Sequence, residues 1–161
     1  MTAARLLLVL GMLPLAALTY GCERPTSVHV VPTDVTGTWA ISASDVEGEG
    51  LTCSVAGLRV QLNQNADGTF TGQALGGAVV TCLYFGTQTA QAIDSGVTVT
   101  GSVDVTARTI ALDVPSEGAT LTGSVAVTNE TMGGTTSLVI QVGGGQDLTI
   151  TGPWTGARSS S

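Results

Sequence analysis

Lysine is absent from this chain, and histidine occurs once, at His29. All five basic residues are arginines, against 12 acidic ones, for a formal charge of -7. Such a surface repels phosphate backbones and anionic head groups, which argues against a nucleic-acid partner. Aromatics make up only 4% and charged residues 11%, whereas glycine reaches 22 residues. That profile argues against a helical bundle and suits short strands joined by tight turns. No P-loop, dinucleotide fingerprint or haem-attachment motif is present. The 161 residues are enough for one domain with a real core.

What is present is alternation. Val97, Val99, Gly101 and Val103 alternate with Thr98, Thr100, Ser102 and Asp104. Leu121, Gly123, Val125 and Val127 alternate likewise with Thr122, Ser124, Ala126 and Thr128. A period of two sends apolar groups to one face of a strand and hydroxyls to the other. Connections such as Pro115-Ser116-Glu117-Gly118 and Gly143-Gly144-Gly145 are short and conformationally permissive, so neighbouring strands should pair antiparallel. The expectation is an all-β antiparallel meander of nine to ten strands.

The first residues read differently. MTAAR is a short positive segment, and the apolar run after it is too short for a good membrane span. It ends in Thr19-Tyr20-Gly21-Cys22, which resembles the signal of bacterial lipoproteins. The resemblance implies cleavage after residue 21, lipidation of Cys22, and a membrane-anchored place in the cell envelope, at the outer membrane or periplasmic face. The alternative is an ordinary secretory leader with an incidental Cys22; both export the domain. Without residues 1–21 the chain carries four arginines against twelve acids, about -8 with His29 neutral.

Export makes Cys53 and Cys82 an even pair in an oxidising compartment. A bridge between them would close about 30 residues and add about 3–4 kcal/mol. Zinc is the competing reading, but two lone thiols with the single histidine elsewhere lack clustered ligands. Residues 22–33, with Pro25 and Pro32, read as a lipidated tether, 34–158 as the β domain, and 159–161 as a disordered tail. Within the domain, Val35, Trp39 and Ile41 share one face, and Leu58, Val60 and Leu62 another. Asn65 to Gly68 is a hairpin turn, Gly76-Gly77 a further turn, and 87–95 an edge strand or a loop.

Gly37-Thr38-Trp39 resembles the G-x-W signature of lipocalins and related up-and-down barrels, avidins among them. The final strand, Gly152 to Arg158, ends in an arginine as those barrels often do. The resemblance implies an 8–10-stranded closed barrel; a β-sandwich is the alternative architecture. It also implies that Trp39 plugs one end with Arg158 across its ring, a structural cation–π contact worth about 1 kcal/mol.

Groups that could carry chemistry are few. Asp45, Glu47 and Glu49 could gather a hard cation, but no second ligand cluster is visible and loop solvation is the commoner cause of such a run. Asp104 and Asp113 fall in strand patterns on the polar register, where they would be solvated. With His29 in the tether no serine has a base to activate it, so no enzyme and no cofactor is expected. Trp39, Phe70, Tyr84 and Trp154 are the large rings that could line a cavity for one small apolar molecule. The same residues could fill the barrel instead, leaving a structural module or one that binds an envelope protein.

Overall fold

The computed structural model describes residues 32–142 and 146–159. The leader, Cys22, His29 and the Gly143–Gly145 turn lie outside these. Ten strands follow one another: β1 (Gly37–Gly48), β2 (Leu51–Gln64), β3 (Thr69–Ala74), β4 (Ala78–Tyr84), β5 (Thr87–Ile93), β6 (Thr98–Val103), β7 (Thr109–Val114), β8 (Ala119–Val125), β9 (Thr131–Val142) and β10 (Gln146–Arg158). All pairings are antiparallel, and β1 bonds to both β2 and β10. That double pairing closes an eight-stranded ring, β1-β2-β3-β6-β7-β8-β9-β10, and rules out a sandwich. Trp39 opposes Arg158 in the closing register, so the first and last strands abolish each other's edge.

The other two strands grow out of the ring. β3 and β4 both run antiparallel to β2, β3 against Val60 to Gln64 and β4 against Leu51 to Ala56. They are two halves of one long strand, and β5 and β6 are the halves of its partner. Gly76-Gly77 therefore kinks the chain without reversing it, a correction to the turn expected there. Both glycines hold φ near +80°, at +82° and +81°, a region side chains with a Cβ rarely enter. Gly57 on β2 (φ +72°) and Gly96 before β6 (φ +86°) continue the kink across the neighbouring strands. Below this line β6 goes on to pair with β7; above it β5 pairs with β4 alone.

The half of the barrel below the kink is packed solid. Trp39, Trp154, Phe70, Leu62 and Leu112 are its largest fully buried side chains. Burial of an aliphatic or Phe side chain of this kind contributes about 1.5–3 kcal/mol. The strands had to make room for the rings. Phe70 lies against Gly101, where any Cβ would collide with its ring. Trp154 on β10 donates its Nε1–H to the Thr122 carbonyl on β8 at 3.0 Å, so its indole spans the intervening β9 at Gly134.

Turns at this closed end are tied by side chains. The Asp67 carboxylate accepts from the Thr69 hydroxyl (2.6 Å) and backbone N–H (2.9 Å). Asp104 is not a strand residue as expected: it follows β6 and accepts the N–H groups of Thr106 and Ala107, each at 2.8 Å. A short carboxylate at the start of a turn competes for the ladder by bonding the backbone two and three residues on. The Thr69 contacts hold the Asp67 carboxyl below its ordinary 3.8, and the Ala107 and Thr106 amides do the same for Asp104. A carboxylate lowered by folding stabilises the native state above its ordinary value, and that contribution is lost as pH falls through the lowered one. Acid titration of the melting temperature should therefore drop below about pH 4, and the double change Asp67→Asn, Asp104→Asn should flatten that limb. An unchanged acid limb would remove these two turns from the explanation.

Candidate functional site

Two places merit a chemical reading, one at each end of the barrel. At the closed end the chain enters across the barrel floor. Thr33, expected in the tether, is 2% exposed and donates to the Val105 carbonyl at 3.1 Å, so this residue packs against the fold. Gln64 accepts from the Val35 N–H (2.9 Å) and donates to the Thr33 carbonyl (3.2 Å). The guanidinium of Arg158 then clasps the segment. Its Nε donates to the Asn129 carbonyl at 2.8 Å, one terminal nitrogen to the Asp34 backbone carbonyl at 2.6 Å, and the other to the Thr36 carbonyl. Its carbon lies 4.8 Å from the Trp39 ring centroid, and the Trp39 Nε1–H donates to the Val35 carbonyl at 2.8 Å. Three carbonyl acceptors and one ring face suit the planar fork of a guanidinium, and the contacts make Arg158 a structural clasp.

The other end is open. Above the kink line β5 has no second neighbour, and β7 and β8 stop at Val114 and Ala119. The wall is thus incomplete on this side, and a cavity of about 790 Å³ remains. This volume lies in the range of small-molecule sites. Its wall is mainly aliphatic: Ile41, Val46, Leu51 and Val55 on one side, Leu138 and Ile140 on the other. Thr89, Gln91, Ser116, Glu117 and Thr136 supply polar groups towards the β5 edge and the 3-10 turn Pro115–Glu117. No arginine lines it among the described residues.

The disulfide is part of this wall. Cys53 and Cys82 face each other in the β2–β4 register and are bridged, with Cα atoms 4.1 Å apart. The bond anchors the projecting hairpin to the ring.

Of the four rings expected to line a cavity, only Tyr84 does. Trp39, Phe70 and Trp154 are at most 1% exposed in the closed half, because large rings fill the floor rather than the mouth. Among the described residues Asp45, Glu47 and Glu49 belong to no cluster of three potential metal ligands. Asp45 and Glu47 lie on β1, not in a loop, and Glu49-Gly50 (φ +47° and +82°) forms the hairpin turn. Asp113 is exposed on β7 and accepts from the Thr120 hydroxyl at 3.1 Å. Sequence reasoning missed Val46, Leu51 and Val55 as cavity residues. A bulge at Asp45 (φ +52°) shifts the register between Ala43 and Val46, which breaks the period-two signal there.

No family model matches the chain, and neither a curated protein nor a solved structure matches it.

Proposed function

We propose that this is a lipid-anchored barrel of the bacterial cell envelope, lipocalin-like in architecture, that holds one small apolar molecule and performs no catalysis. The observation that carries the reading is the aliphatic cavity of about 790 Å³ in the open half. An apolar pocket of that size forgoes dispersion contacts that a bound apolar molecule would restore. Glu117 is the one carboxylate on its described wall, with no histidine or second acid beside it to set up acid–base chemistry. The anchor rests on the lipoprotein-like signal ending at Cys22.

Native mass spectrometry of protein purified from its own envelope tests both parts. The expected spectrum carries acyl mass on the N-terminal peptide and a small adduct that is lost on denaturation. Cys22→Ser should release a folded domain from the membrane fraction. The Val55→Trp variant, which fills the cavity, should lose the adduct. An N-terminus without acyl mass overturns the anchor; a bare folded mass together with no uptake of a neutral hydrophobic dye overturns the binding reading.

A second reading, an interaction module, has one observation in its favour. Val79, Leu83, Tyr84 and Phe85, all on the projecting hairpin, are between 40% and 79% exposed. Pull-down of an envelope protein that is lost on Phe85→Ser with the adduct retained would support it.

A further inference from the structure

We infer that the mouth selects by charge, admitting apolar molecules with a cationic or uncharged head and rejecting anionic amphiphiles such as fatty acids. The inference rests on the binding reading above and adds the chemistry of the head group. Its basis is where the charges stand. Asp45, Glu47 and Glu49 lie at the end of β1 and its turn, Glu117 in the 3-10 turn, and Asp147 at the start of β10. All five belong to the open end. The arginines of the described residues lie elsewhere: Arg108 and Arg158 tie the closed end, and Arg59 is exposed on the outside of β2, opposite Ala40.

Distance decides whether those arginines matter at the mouth. In the β1–β10 ladder Glu47 opposes Thr151 and Trp39 opposes Arg158. That separation is roughly 20–25 Å at about 3.3 Å per residue. The Debye length is only about 8 Å at physiological salt. A head group at the rim therefore stands beyond the screened reach of the described arginines and at the end that carries these carboxylates. Glu117 is the nearest of them, half-buried and part of the cavity wall beside Ser116. Low-dielectric walls focus such a field, and opposite charge at a focused mouth raises local ligand concentration by about tenfold or more. A carboxylate head meets the reverse, with no described arginine within reach to neutralise it.

Three probes sharing one chain isolate the head group: decyltrimethylammonium, decanol and decanoate, each below its micelle concentration at neutral pH. Displacement of the neutral dye N-phenyl-1-naphthylamine from the full-length protein reads their affinities. The expected order is cation, then alcohol, then anion, with about tenfold between the extremes at low salt. Raising the salt to about 1 M, where the Debye length is about 3 Å, should compress that ratio. Glu117→Gln, which removes the nearest charge, should narrow that ratio. Equal binding of the three, or decanoate bound best, overturns the charge selection and leaves the binding reading standing. Failure of dye and all three probes to bind overturns both.

Discussion

Replacing Trp39 by alanine should destabilise the barrel by about 3–5 kcal/mol, as expected for truncating a large core aromatic. Trp39 is 0% exposed and lies in the strand that closes the ring, so the loss opens a void beside the β1–β10 seam. Arg158→Met isolates the clasp from the packing. It keeps an apolar stem over the ring but leaves the carbonyls of Asp34, Thr36 and Asn129 without their donor. A cost of about 2 kcal/mol follows, well above that of a surface change. Arg158→Lys should rescue little, because one ammonium cannot serve three divergent acceptors. Chemical denaturation measures all three. An Arg158→Met variant within about 0.5 kcal/mol of the parent would show that the entering segment is held by packing alone.

The second large effect is redox. Reduction of Cys53–Cys82 should cost about 3–4 kcal/mol, the chain-entropy value for a loop of 29 residues. For a domain of this size that lowers the melting temperature by about 10–15 °C. The effect should be uneven. The bridge joins β2 to β4, above the kink, whereas the ring below closes without it. Cys53→Ala with Cys82→Ala should accordingly retain the closed half's tryptophan fluorescence while losing dye uptake. Simultaneous loss of both signals would mean that the two halves unfold as one, and thiols that alkylate freely in the native oxidised protein would mean that no bridge exists.

The closed half was readable from sequence because its strands keep strict register. Val97 to Val103 and Leu121 to Val125 alternate without interruption, and the terminal Trp39 and Arg158 meet because an antiparallel meander brings its ends together. The cavity half was not readable, for two physical reasons. Single backbone irregularities, the bulge at Asp45 and the kink at Gly76-Gly77, invert or redirect the pattern without any change in composition. The void itself arises from unequal strand lengths. β1, β2, β9 and β10 have 12 to 14 residues, while β7 and β8 have six and seven. An inward valine looks the same in sequence whether it meets a ring or an empty mouth. That distinction needs the three-dimensional register of strands distant in the chain.

The one-sided pairing of β5 also sets a timescale. Its outer amides lack a ladder partner, and its residues from Thr87 to Ala92 are all exposed, so β5 can detach from β4 without breaking the eight-stranded ring. Such sub-global openings lie at the low end of the native-state free-energy spectrum. Amide deuterium uptake should therefore be fast along β5, intermediate in β4 beside the disulfide, and slowest where β1 meets β10. The β5 wall of the cavity would then open and close on the timescale of a local equilibrium of one strand, far faster than the global unfolding of the barrel.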